Sequence, residues 1–153
     1  MFGDIPDAKR PRAVAIPGAS QPTRLYPAGV EDGTLEEAVE LVERFLRSVA
    51  IQDWKAVNGC ISPDVVRRGP FGDDVDGRAP YVDLLGRTMP ALPGYRMDLD
   101  RVTGAGGHGN HLVFAELRET LVVDGAPVVT EECLVFEVEG VITTVSIYIR
   151  RTG

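Results

Sequence analysis

Two glutamates offer this sequence's most definite chemistry. Glu119 and Glu132 lie in neighbouring runs of alternating apolar residues, His111 to Val123 and Val128 to Val138, joined by Asp124-Gly125. An Asp-Gly pair between two such runs is the strongest short-range signal for a β-hairpin. On the first run Val113, Ala115, Leu117, Leu121 and Val123 share a face that Glu119 interrupts; on the second, Val128, Leu134, Phe136 and Val138 share a face with Thr130 and Glu132. An even-numbered loop puts odd positions of the first strand and even positions of the second on one side of the sheet. Both carboxyls then point to the more apolar side. A two-residue loop sets Glu119 opposite Thr130 and diagonal to Glu132, about 7–8 Å away, whereas a four-residue loop sets the two glutamates opposite each other at about 5 Å. Two carboxyls this close on an apolar surface do not both ionise cheaply, because desolvation and mutual repulsion favour a retained proton. Such a group serves as general acid, general base or neutral hydrogen-bond donor. The alternative is a structural pair neutralised by arginine. Arg67 or Arg68, in a short predicted strand from Val65 to Arg68, would supply that charge.

Other constellations carry less. Gly104, Gly106 and Gly109 match a G-x-G-x-x-G string, but here the loop joins two strands, and dinucleotide binding needs a helix after it. His108 and His111 are the only histidines. Along an extended strand His111 stands about 26 Å from Glu119, so both histidines are expected at exposed loop or strand-end positions. Without a histidine to spare, no Ser-His-Asp set assembles. Cys60 and Cys133 have neither metal-ligand nor disulfide-framework spacing, so no metal is expected.

The elements that must position the glutamates follow from period and punctuation. The chain has 153 residues, 44% of them hydrophobic and 25% charged, as in a folded single domain. Its net charge of −7 opposes nucleic acid and anionic membrane surfaces as partners. It has no apolar run of about 18 residues and no apolar leader at its start, so a cytoplasmic location is expected. Residues 1–33 contain five prolines and no sustained apolar period, and read as an extended arm. Thr34 and Glu37 form a capping-box pattern, and Leu35, Ala38, Val39, Val42, Phe45, Leu46 and Val49 recur at helical steps behind it. A short helix is predicted from Asp53 to Gly59, with Trp54 and Val57 inward. A third follows Gly77, with Val82, Leu84, Leu85 and Met89 inside, and ends at Pro90 and Pro93. From Tyr95 the period becomes 2: strands are predicted at Tyr95 to Val102, across the hairpin, and from Val141 to Arg151. This is an α+β layout, with residues 34–153 as one domain.

The order of these elements resembles the nuclear transport factor 2-like superfamily, and within it the SnoaL-like small enzymes. The resemblance runs from about Leu35 to Arg150. It rests on the helix ending before Ile51-Gln52-Asp53, on Pro63-Asp64-Val65-Val66, on Gly77 opening a helix, and on Glu132-Cys133-Leu134-Val135-Phe136 before Gly140-Val141-Ile142. It implies three N-terminal helices packed in a strongly bent, mainly antiparallel sheet, a cone-shaped α+β barrel with an apolar pocket at its wide end. It also implies chemistry without a cofactor. Compared with ketosteroid isomerase, the proton-shuttling aspartate falls at Gly69, the oxyanion-hole tyrosine at Phe45, and the protonated aspartate at Glu132. Compared with limonene epoxide hydrolase, the catalytic arginine falls at Leu117 and the aspartates at Ile147 and Glu119. Each comparison retains one carboxyl, and these are the two that alternation turns inward. The resulting expectation is a cofactor-free enzyme acting on a small polyketide-, steroid- or terpenoid-like molecule by isomerisation, cyclisation, dehydration or epoxide opening. Glu119 would be base or water activator, Glu132 neutral acid and Arg67 their charge-tuning partner. Leu117, Leu134, Phe45, Trp54, Val145 and Ile147 would line the pocket. A non-catalytic ligand-binding or dimerisation module of the same fold is the alternative. A homodimer through the outer sheet face, with Phe114, Val122, Val135 and Tyr148, is expected in either case.

Overall fold

A computed structural model of the protein describes residues 33–106 and 110–150. The arm, apart from Gly33, lies outside the described residues, as do His108 and Arg151. The chain opens with α1 (Leu35–Ala50), where the backbone N–H of Glu37 donates to Thr34 Oγ1 at 3.2 Å. This is the N-cap that satisfies a donor left without a partner in the helix's first turn. Ala38, Leu41, Val42, Phe45, Leu46 and Val49 form its buried stripe. Asp53 caps α2 (Trp54–Cys60) through Ala56 N–H at 3.1 Å. Next come β1 (Ile61–Arg68), the two-residue β2 (Val75–Asp76) and α3 (Arg78–Thr88), which ends in a 3₁₀ turn over Met89–Ala91. The last four strands are β3 (Arg96–Ala105), β4 (His111–Val123), β5 (Ala126–Glu139) and β6 (Val141–Ile149).

The six strands form one sheet in the order β2-β1-β6-β5-β4-β3, with β1 parallel to β6 and every other pair antiparallel. Irregularities between Ile61 and Val66, Leu99 and Arg101, and Glu137 and Val138 interrupt the ladders and bend the strands that carry them. α1 packs on β3, β4, β5 and β6. The core between helix and sheet holds Val42, Phe45, Val113, Ala115, Phe136 and Val145, with Phe45 edge-on to Phe136 at 5.8 Å. The hairpin closes through a two-residue loop, because Val123 pairs with Ala126. Asp124 and Gly125 have φ of 50° and 79°, the left-handed pair that a tight hairpin turn demands.

Several sequence expectations need correction. Only α1 and α2 precede the sheet, since α3 follows two strands that pair with each other. In α3 the fully buried side chain is Tyr81, whereas Val82, Leu84 and Leu85 are half-buried. Val82 and Leu85 pack against the core, and Leu84 and Leu85 border a cavity. His111 is not exposed: it is only 8% accessible, on the inward face of β4, with Nε2 2.7 Å from the Gly33 carbonyl. Its odd position in the alternating strand puts it there.

Candidate active site

The two-residue loop fixes the register of the carboxyls. Glu119 pairs with Thr130 and Leu117 with Glu132, so the glutamates sit diagonally on one face of adjacent strands. Both border a cavity of about 330 Å³ between this face, α1 and α3. Phe45, Tyr81, Met89, Leu134 and Ile147 give it an apolar wall, and Arg67 enters from β1. Leu117 and Val145 are buried in the core and Trp54 packs against it from α2; none of the three borders this cavity. Of the residues singled out in the sequence, the fold thus gathers Glu119, Glu132, Arg67, Phe45, Leu134 and Ile147 around one space.

Electrostatics separate the two acids. Burial pushes the Glu132 carboxyl up to about 8; the neighbouring Glu119 charge and the hydrogen bond between the two side chains act the same way, while Arg67 opposes them. Glu132 therefore keeps its proton at neutral pH. On its other side Glu119 accepts from the Tyr95 hydroxyl, at 2.8 Å to Oε1. Burial, the Glu119 charge and this hydrogen bond hold the Tyr95 proton firmly in place, well above the ordinary phenol range.

Arg67 does not clamp the pair. Its guanidinium, 13% exposed, donates from Nη1 to the Asp73 carbonyl at 2.8 Å and to Asp73 Oδ2 at 3.0 Å. The arginine hydrogen bond holds the Asp73 carboxyl below its usual value. Burial pushes the Tyr81 hydroxyl up to about 12 against the pull of the neighbouring Arg67 charge. Asp73 further accepts the Phe71 N–H at 3.1 Å, which folds the 69–74 loop over the cavity mouth with Phe71 74% exposed.

Reading the sequence alone missed Tyr95, Tyr81 and Asp73. Tyr95 had a usable signal, since it shares parity with Met97, and Met97 pairs with Glu119. No local pattern marks the other two, which reach the site through tertiary packing. Among the described residues no group of three or more His, Cys, Asp or Glu side chains is arranged to hold a metal ion.

The family model of the SnoaL-like domain matches residues 42–143, well over half of the chain. No curated protein matches. Among solved structures the chain is similar to an LEH-like epoxide hydrolase of M. tuberculosis, with 28% identity, a TM-score of 0.64 and coverage of 76% of this chain and 84% of that one. It is also similar in fold to an NTF-2 like protein of unknown function from Burkholderia xenovorans, with 20% identity, a TM-score of 0.61 and coverage of 79% and 89%. A protein with a ketosteroid isomerase-like fold from Catenulispora acidiphila gives 15% identity, a TM-score of 0.59 and coverage of 71% and 84%.

Proposed function

The chain belongs to the family of SnoaL-like domains, and from that premise we propose that it is a cofactor-independent enzyme that moves protons on a small apolar substrate held beside Glu119 and Glu132. The observation that carries this reading is the placement of Glu119 and Glu132 side by side on the wall of an apolar cavity, where burial pushes the Glu132 carboxyl up. Glu119 takes a proton from carbon beside a carbonyl, or from water. Glu132 presents its O–H to the oxygen on which negative charge develops. An acid kept neutral by its surroundings suits that task, because it donates a hydrogen bond without charge repulsion.

The same pair serves isomerisation, cyclisation, dehydration or epoxide opening on a polyketide-, steroid- or terpenoid-like molecule. The similarity to an epoxide hydrolase keeps epoxide opening among them. Here Leu117 and Ile147 stand where that reaction's arginine and second aspartate are expected, so Glu132 would have to supply the acid. Glu119→Gln and Glu132→Gln, assayed separately on a panel of apolar ketones, hydroxyketones and epoxides, are each expected to lower turnover about a hundredfold or more. Full activity in either variant overturns the proposal.

A second copy of this chain on the outer sheet face is part of the same reading. Phe114, Val122 and Tyr148 are exposed there and Val135 pairs with Phe114. The proposal also places the protein in the cytoplasm, where Cys60 and Cys133, both free, stay reduced. No described helix is long and apolar enough to cross a membrane. Binding of the panel without conversion would favour a non-catalytic ligand-binding module.

A further inference from the structure

We propose that Tyr95 is the positioning residue that decides which of the two carboxyls holds their shared proton, making Glu119 the base and Glu132 the acid. This inference rests on the acid–base reading of the site and adds the source of its asymmetry. Glu119 and Glu132 are chemically identical, face the same cavity and sit diagonally on adjacent strands, close enough that the Glu119 charge raises the Glu132 carboxyl. Left alone, such a pair titrates as a unit with no fixed assignment of proton to residue.

Burial favours the protonated form of Glu132, and one direct contact breaks the symmetry further at Glu119. A tyrosine hydroxyl has a single proton to give, and Tyr95 gives it to Glu119 Oε1 at 2.8 Å. A donor aimed at one carboxyl stabilises the negative form of that carboxyl alone. The other polar and charged groups around the cavity are Arg67, Asp73, Tyr81 and Thr88. Arg67 is engaged by Asp73 at 3.0 Å, with its charge beside Tyr81. By its charge Arg67 favours ionised Glu132, the reverse of the Tyr95 effect. Tyr95 works against that pull by direct contact with Glu119, with the burial of Glu132 acting in the same sense.

The backbone holds Tyr95 in place for this. It immediately precedes β3, in which Met97 pairs with Glu119, so its side chain lies on the same face and diagonal to Glu119. Two residues before it, the Pro93 carbonyl accepts the Val122 N–H at 2.9 Å. That bond ties the segment to β4, the strand that carries Glu119.

The test is a carboxyl-carbon NMR titration of protein labelled at glutamate, which needs no substrate. Wild type is expected to show separated midpoints, with the upper one assigned to Glu132 through the Glu132→Gln spectrum. Tyr95→Phe is expected to lower the Glu132 midpoint and so to close the gap by about one pH unit. A ring-fluorinated tyrosine at position 95 keeps the shape, has a more acidic hydroxyl, and should widen the gap. It serves even if the phenylalanine variant folds poorly. Unchanged midpoints with the fluorinated residue, or an upper midpoint belonging to Glu119, overturn the inference. Neither result depends on turnover, so the acid–base proposal stands or falls separately on the two Glu→Gln assays.

Discussion

A carboxyl that keeps its proton up to about pH 8 leaves a mark on stability as well as on chemistry. In the unfolded chain Glu132 releases its proton near 4.5, and in the folded protein only near 8. Between those values the folded state binds more protons, so stability falls as pH rises through the window. The contribution is complete below about 4.5 and gone above about 8. Asp73 acts in the opposite sense, because its lowered value adds stability that is lost on acidification. Glu132→Gln removes the first dependence and leaves the second. Thermal melting from pH 5 to 9, roughly the span that brackets the shift, should show wild type losing ground steadily against the glutamine variant. Parallel curves would mean that Glu132 titrates as an ordinary surface acid. Activity should show a matching loss on the alkaline side, as the neutral donor ionises.

At the scale of elements, what was legible in the sequence was local and what was hidden was assembled at a distance. Thr34 and Asp53 announced their helices because a cap is written within three residues. Asp124-Gly125 fixed the hairpin and so the inward direction of both glutamates, since register is a property of turn and alternation. Nothing local says that β1 runs parallel to β6, with Arg67 beside Val145. Nor does any local pattern say that Arg67 spends its charge on Asp73 six residues later. Gly69 shows how that arrangement is kept. A Cβ there would collide with the Asp73 carboxylate, the group that holds Arg67. Gly69→Ala is therefore expected to push Asp73 aside and free the guanidinium toward Glu132. The expected cost is on the order of 1 kcal/mol in denaturant unfolding, with a lower Glu132 midpoint in the carboxyl titration. A stable variant with an unmoved midpoint would show that the Arg67–Asp73 contact is irrelevant to the acid.

For the whole molecule the open question is what covers the outer face of the sheet. The inner face is spent on α1 and the cavity. Outside, Tyr148 is 61% exposed and pairs across β5 with Cys133, while Phe114 pairs with Val135. Ion pairs share this face, in the rows between Phe114 and Val122: Arg101 with Glu116 at 2.5 Å, Arg118 with Asp100 at 2.8 Å and Arg150 with Glu131 at 3.1 Å. Protein interfaces combine apolar side chains with polar groups, and exposed pairs like these add little to the stability of a lone subunit. A self-complementary dimer about a two-fold axis uses one such patch twice, burying about 800 Å² on each partner in an interface of standard size. Light scattering at micromolar concentration is expected to give twice the chain mass. Tyr148→Glu, which places a charge on this face, should give a folded monomer. A wild-type monomer at that concentration would overturn the dimer and leave the carboxyl chemistry to the single subunit, since both acids, Tyr95 and Arg67 come from one chain.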